Sequence, residues 1–337
     1  MERVGMAVVG LGRIGRIHAE IAAYRVERVR LVAVMDVVEG LARSTGERLG
    51  VKWYTDYSKI LEDDEVDAVI ISTPTFMHAK MASEALDSGK HVMVEKPLTV
   101  RSSESRDLVL KASSKGVKLQ VGYMRRFDEY YSRAKASIES GEIGDPVSYV
   151  AIARDPEPPK GWVVEPAKSG GIFLDMLSHD IDMARWLVGD EITWVYASGG
   201  NYLVDYIRES GDLDFAEIMV RFSRGGRGFI QGARRNAFGY DLRTEVYGTR
   251  GTVYVDTRVD NTLATGTSEG IKYRGIPWFE KRFYDAYVAE LESFAKAIIE
   301  DKKPPIDGVD GYRAVKVAEA CWESYKKEKP ITIEYEL

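Results

Sequence analysis

Gly10-Leu11-Gly12-Arg13-Ile14-Gly15 stands between an apolar run, Val4 to Val9, and a helical pattern that continues through Ala23. Strand, glycine turn and helix in this order open a βαβ unit. The first glycine of such a turn makes the tight bend, the second lets backbone approach a pyrophosphate, and the third lets helix and strand pack closely. A second apolar run, Val29 to Met35, ends at Asp36, where a carboxylate accepts hydrogen bonds from an adenosine ribose. Gly10, Gly12, Arg13, Ile14, Gly15 and Asp36 are therefore candidate dinucleotide-binding residues. Val37 and Val38 follow Asp36 and no arginine is adjacent to receive a 2′-phosphate, so NAD is expected over NADP, with Arg43 the first guanidinium downstream.

The alternation continues outward from this unit. A helix is predicted around Leu41 to Leu49 and a short strand at Trp53 to Tyr54. Strands at Val66 to Ser72 and His91 to Glu95 flank a helix over Met77 to Asp87, and a helix near Glu104 to Ser114 precedes a strand at Lys118 to Gly122. Such βαβα order predicts a doubly wound parallel sheet, a Rossmann domain over residues 1–122. After Gly122 the pattern changes. Long alternating runs at Val147 to Arg154, Trp194 to Asn201, Phe215 to Phe222, Arg227 to Arg234, Arg243 to Tyr247 and Thr252 to Asp256 predict a large, mostly antiparallel sheet. Helices are expected near Tyr130 to Ser140, Gly171 to Val188, Tyr284 to Asp301 and Gly311 to Lys327. The expected fold class is thus α/β, with a second α+β domain over residues 123–337 whose last helices could pack back on the first.

Composition narrows the function classes. A length of 337 residues exceeds one ordinary domain, and 45% apolar with 30% charged residues excludes both a disordered and a membrane-embedded chain. No apolar stretch approaches the roughly 18 residues of a membrane span, and no cleavable leader precedes the first strand. A cytoplasmic protein with no membrane partner is expected. The net charge of -6 offers no basic footprint for nucleic acid. The lone Cys321 excludes an internal disulfide and a multi-cysteine metal site. A small-molecule substrate is the expected partner.

Three further segments carry candidate chemistry. Ser72-Thr73-Pro74-Thr75 follows a strand at the carboxyl edge, where open α/β sheets bind ligands, and either lines the cofactor site or forms an ordinary turn. His78 either contacts the cofactor or caps the helix that follows. Glu95-Lys96-Pro97 ends another strand at the same edge, and Pro97 restricts the backbone of Lys96 to extended conformations, which aims that side chain. Lys96 is either a catalytic amine or a solvated strand-end lysine, and Glu95 and Lys96 also count among the candidate cofactor-binding residues. In the helical pattern after Gly170, Asp175 and His179 are four residues apart, which places them one turn apart on one helix face. The pair reads as a helix-surface interaction or as an acid and imidazole dyad for proton transfer. No third ligand at a compatible spacing points to a metal.

With these segments in place, the chain resembles the Gfo/Idh/MocA family of NAD(P)-dependent sugar and polyol oxidoreductases over nearly its whole length. The resemblance is carried by GLGRIG at Gly10, EKP at Glu95, GYMRRFD at Gly122, RDPEPP at Arg154, SGGIFLDM at Ser169, HDIDMARWL at His179 and GYDLRTEVYG at Gly239. The first two motifs mark the family; the middle ones are specific to its inositol dehydrogenase branch and near relatives. The resemblance implies a catalytic group of Lys96, Asp175 and His179, and a substrate lined by Met124, Arg125, Asp155 and Tyr240 together with that pair. It also implies oxidation of a secondary hydroxyl of a cyclic polyol, with myo-inositol as the first substrate, and a homodimer or homotetramer assembled through the second domain's sheet. Ser178 and Phe215 depart from the pattern of the relatives and bear on which polyol is taken. Another inositol isomer, an aldose, an epimerase or hydrolase using NAD transiently, and a noncatalytic NAD-binding sensor are the alternatives. The sensor would be favoured by loss of Lys96 or His179, and both are present.

Overall fold

The computed structural model describes residues 3–256 and 259–337. The chain divides into two compact units, the first comprising Met1–Met124, Asp285–Val315 and Leu337, the second Arg125–Tyr284 and Lys316–Glu336.

In the first unit β1 (Val4–Val9), α1 (Arg13–Tyr24), β2 (Val29–Met35), α2 (Glu39–Leu49), β3 (Lys52–Tyr54), α3 (Tyr57–Leu61), β4 (Ala68–Ile71), α4 (Thr75–Asp87), β5 (His91–Glu95), α5 (Ser102–Lys115) and β6 (Leu119–Gly122) alternate, all as expected but the short α3. The six strands form one parallel sheet in the order β3-β2-β1-β4-β5-β6. Strands covered on both faces need apolar side chains at every position, and β4 is buried throughout, as is β1. The order reverses between β1 and β4, so the carboxyl ends of those strands flank the switch point where such sheets bind ligands. The first unit takes a second segment, 285–315, from near the end of the chain.

The second unit contains α6 (Glu129–Glu139), β7 (Pro146–Arg154), α7 (Pro166–Ser169), α8 (Ser178–Val188), β8 (Ile192–Gly200), α9 (Asp205–Glu209), β9 (Phe215–Phe222), β10 (Arg227–Ala233), β11 (Asp241–Gly248) and β12 (Thr252–Asp256). Then follow β13 (Val259–Thr267), β14 (Gly270–Gly275), α10 (Phe279–Ile299), α11 (Gly308–Lys327) and β15 (Ile331–Thr332). Seven strands form a sheet in the order β12-β11-β7-β10-β9-β8-β15. Every pair in it is antiparallel except β10 with β7. Alternation explains its two faces: Ala216, Ile218, Val220 and Phe222 of β9 are buried, while Met219 and Arg221 between them are exposed. Helix α8 covers the inner face, with the Tyr149 hydroxyl donating to the carbonyl of Asp180 at 3.2 Å. The hairpin β13-β14 was not expected, because its polar, glycine-containing sequence lacks the apolar alternation that marks the other strands. Among the described residues no helix is long and apolar enough to cross a membrane.

One element differs in a way that matters for the site. The helix expected over Gly171 to Val188 is not continuous: Ile172–Met176 is a turn of π-helix, closed by the Leu177 N–H on the Ile172 carbonyl at 3.0 Å, and α8 begins at Ser178. Gly170 and Gly171 enter this turn with φ of +82° and +65°, a region that disfavours other residues. A side chain on Gly171 would also lie 2.5 Å from the Trp322 ring and 2.6 Å from Asp212 Oδ1. The wide turn carries Asp175, so the one-turn α-helical spacing to His179 assumed from sequence does not describe this backbone.

Candidate active site

The glycine turn of the first unit is built by close approach. Gly10 has φ of +86°, and a Cβ there would meet the Ser72 carbonyl oxygen at 2.7 Å; a Cβ on Gly15 would lie 1.8 Å from the Gly10 carbonyl oxygen. Gly12 is different, since a Cβ there would touch nothing within 4 Å. Its backbone therefore faces open space at the N-terminus of α1, a helix with no side-chain cap and no acidic residue in its first turn. Unsatisfied N–H groups and a positive dipole end favour a phosphate there, so the residues present fit a dinucleotide. Arg13 and Ile14 begin that helix. Asp36 closes the turn from the other side, its Oδ2 accepting the Leu11 N–H at 2.7 Å and its Oδ1 the Val38 N–H at 2.9 Å.

Ser72 follows β4, its backbone N–H donating to the Val9 carbonyl, and Pro74 caps α4. His78 is buried with Nδ1 2.8 Å from the Pro97 carbonyl oxygen and Nε2 2.8 Å from that of Thr73. Burial pushes this imidazole below its ordinary value against the pull of the two carbonyls, and the neutral ring has one N–H to give. Both ring nitrogens thus face backbone, which makes His78 a brace between two loops; a cofactor contact through those nitrogens, entertained from the sequence, finds no support. Lys96 is half-buried at the end of β5, and the Lys96–Pro97 peptide is cis. Its backbone N–H donates to Glu95 Oε2 at 3.2 Å. The Glu95 carboxylate is buried and turned to His18, at 2.7 Å from Nε2. Met124 is buried at the end of the first unit's N-terminal segment.

The second unit brings a different set together. Arg234, following β10, is 1% exposed and donates to Asp175 Oδ2 at 3.0 Å and to Asp212 Oδ2 at 2.8 Å. Asp212 Oδ1 accepts the Ile172 N–H at 2.9 Å and so anchors the π-turn that bears Asp175. Burial opposes the charge on Arg234, but Asp212 and Asp175 outweigh it and hold the guanidinium above its ordinary value. Burial likewise pushes the Asp212 carboxyl up, with Arg234 opposing. Asp155 follows β7, its backbone N–H donating to the Ala233 carbonyl at 3.0 Å, and its charge raises both Arg234 and Tyr240. Arg125 is buried, donates to Asp180 Oδ1 at 2.8 Å and reaches the Tyr240 hydroxyl at 3.5 Å. Burial raises the Tyr240 hydroxyl, opposed by Arg125. His179 is the second residue of α8, one before Asp180, and is buried.

Asp175 is thereby joined to two residues that sequence reasoning missed, Arg234 and Asp212, while Arg125 and Tyr240 are joined to each other. No local pattern marks Arg234 or Asp212. The one available signal was the chemistry of Asp175 itself, a carboxylate in an apolar segment that needs a nearby cation.

A dinucleotide-binding sheet joined to a unit that presents carboxylates, an imidazole and a phenol defines an NAD-dependent oxidoreductase. Residues 4–123 match the oxidoreductase family with NAD-binding Rossmann fold, and residues 131–254 match the GFO/IDH/MocA C-terminal domain. The chain belongs to the Gfo/Idh/MocA family. It is 37% identical to scyllo-inositol 2-dehydrogenase (NAD(+)) of Bacillus subtilis (strain 168), an alignment covering 98% of this chain and 97% of that one. It is 35% identical to myo-inositol 2-dehydrogenase of Thermotoga maritima, with 98% of each covered. Its fold is similar to that of scyllo-inositol dehydrogenase from Lactobacillus casei, solved with NAD(H) and scyllo-inositol, with a TM-score of 0.91 at 30% identity over 98% of this chain and 99% of that one.

Proposed function

We propose that this enzyme oxidises a secondary hydroxyl of a cyclic polyol, taking myo-inositol to 2-keto-myo-inositol (scyllo-inosose). The observation that carries this reading is the second unit's polar group, in which the Asp175 carboxylate and the Tyr240 phenol are held by the buried guanidinium groups of Arg234 and Arg125. A carboxylate and a phenol fixed in this way suit a ligand made almost entirely of hydroxyls. The two inositol dehydrogenases aligned over 98% of the chain support the same substrate class. Because one of them and the Lactobacillus casei protein act on scyllo-inositol by name, that isomer is the second reading.

Bound NAD supplies a hydride acceptor. The chain's own task is the proton, because an alcohol carbon releases hydride only as its hydroxyl is deprotonated. His179 is assigned as the base that takes this proton at an imidazole nitrogen. Lys96 donates to the same oxygen and stabilises the charge that develops there. Asp175 accepts from a neighbouring hydroxyl and orients the ring, while Met124, Arg125, Asp155 and Tyr240 contribute to substrate selection. Gly10, Gly12, Arg13, Ile14, Gly15, Asp36 and the Ser72-Thr73-Pro74 segment are assigned to the dinucleotide.

Two further expectations attach to this reading. Tyr196, Met219, Tyr247 and Tyr254 are exposed and share the outward face of the seven-stranded sheet by register, which supports self-association into a dimer or tetramer through that face. The free, buried Cys321 and the use of NAD suit the cytoplasm. The deciding experiment supplies a panel of inositols and aldoses with NAD or NADP and follows reduced nicotinamide. Turnover of myo-inositol with NAD is expected; turnover of aldoses alone, or of none, would reject the assignment.

A further inference from the structure

Beyond the residues given roles above, the first unit encloses another group of titratable side chains. His18 on α1, Glu95 on β5 and Glu290 on α10 are all buried, and one potential ligand atom from each lies within 4.8 Å of the other two. His18 Nε2 is 2.7 Å from Glu95 Oε1, while Glu95 Oε2 accepts the backbone N–H of Lys96. The His18 ring packs against Tyr287 in a T-shaped contact with centroids 5.5 Å apart. Gln120 on β6 donates to the backbone carbonyl of Glu290 at 3.3 Å. Gly122 lies close beside Glu95: a Cβ there would sit 3.1 Å from the Glu95 carboxylate, so a larger residue would press on it.

Glu290 is the unusual member. Its side chain is fully buried, and neither carboxylate oxygen has a hydrogen-bond partner among the described residues. An ionised carboxylate in that condition is very costly. Two species relieve the cost, a divalent metal bound by the three side chains or a proton. The contact between His18 and Glu95 favours the proton. At 2.7 Å those atoms already share a hydrogen, so a metal would have to displace it and break the bond that ties Glu95 to α1. A proton on Glu290 leaves that bond intact.

We propose that Glu290 is held as a neutral carboxylic acid in the folded enzyme, and that with His18 and Glu95 it forms a proton-bearing cluster that fixes the end of β5 where Lys96 emerges. Glu290 is on this account a positioning residue, acting on Lys96 through Glu95, and this part rests on the role proposed for Lys96. Burial pushes the Glu290 carboxyl well above the usual carboxylate range, and the Glu95 charge pushes it further. The groups that face it are His18 from α1 and Glu95 from β5, with neutral Gln120 from β6 on its backbone. Ionising Glu290 in place would set two anions against each other within the cluster and displace the Glu95 carboxylate that holds the Lys96 backbone.

The proton has a thermodynamic signature. The folded state keeps it, while the unfolded chain releases it above an ordinary glutamate pKa of about 4.3. The stability it contributes is therefore complete below that value and is lost as pH rises toward the raised folded value. Melting wild type and Glu290→Gln from about pH 5 to about pH 9 tests this, because the amide keeps the shape and removes the titration. Wild type should lose melting temperature relative to the variant as pH rises; parallel curves would overturn the neutral acid. Infrared spectroscopy of the wild type should show a protonated carboxyl band at neutral pH that Glu290→Gln lacks, and its absence from the wild type would also overturn it. So would one equivalent of metal in the purified protein whose removal by a chelator lowers the melting temperature. For positioning, Glu290→Ala should lower kcat on the order of tenfold with NAD affinity kept, and Glu290→Gln should restore most of it. Full activity in Glu290→Ala would overturn positioning. An active Lys96→Met would instead reject the role of Lys96 and leave the melting curves unchanged, so the two failures are distinguishable.

Discussion

The Arg234 guanidinium and the Asp175 carboxylate meet at 3.0 Å across 59 positions of sequence, and the same guanidinium holds Asp212 at 2.8 Å. Arg234 thus ties Asp175 and Asp212 to one buried cation. Replacing it with Met would leave a fully buried Asp212 without its cation, at a cost of about 3–5 kcal/mol. Lysine would restore the charge but not the planar fork that serves two carboxylates at once. Arg234→Lys is expected to fold with lowered stability in chemical denaturation and with reduced kcat. Wild-type values for both in Arg234→Lys would show that the fork is dispensable.

His179 and Lys96 are assigned to the alcohol oxygen and not to the dinucleotide. His179→Ala and Lys96→Met should each reduce turnover by about 100-fold or more while NADH affinity stays near wild type. Steady-state kinetics and titration of NADH fluorescence read the two quantities separately. Loss of NADH binding along with turnover would move either residue out of proton transfer.

Two glycines of one turn should fail in different ways. Gly15→Ala forces a methyl group to within 1.8 Å of the Gly10 carbonyl oxygen, so the turn must open. It is expected to cost on the order of 2 kcal/mol or more in stability. Gly12→Ala meets nothing within 4 Å and should melt like wild type, yet weaken NAD about tenfold or more by occupying the space a pyrophosphate approaches. Thermal melts and NAD titrations of both variants check this, and an undiminished NAD affinity in Gly12→Ala would place the pyrophosphate elsewhere.

Cys321 lies fully buried in the second unit, and burial pushes its thiol well above the ordinary range. A thiol reagent should leave the native protein unmodified and label one site only as denaturant unfolds it, because the thiolate is the reactive form. Stoichiometric labelling of the native protein, read by mass spectrometry, would contradict this environment.

The parallel sheet, its glycine turn and the position of Asp36 were legible because each depends on neighbours in sequence. Strands buried on both faces read as continuous apolar runs, and a glycine turn is a local steric demand. Asp175 and His179 were legible as residues but not as geometry. The π-turn depends on Asp212 holding the Ile172 N–H and on Trp322 packing where a Gly171 side chain would be. The parallel pairing of β10 with β7 and the partners Arg234, Asp212 and Glu290 left no local trace.

By itself, then, the sequence determined most of the element types, the dinucleotide turn and the residue types available for proton transfer, since backbone propensity and apolar periodicity act over a few residues. Only the tertiary structure decided which charges face each other. Arg234 against Asp175 and Asp212, and Glu290 against Glu95 and His18, are encounters between distant segments. Their consequence comes from burial, which makes an unpaired charge costly and exists only once the chain has closed around it.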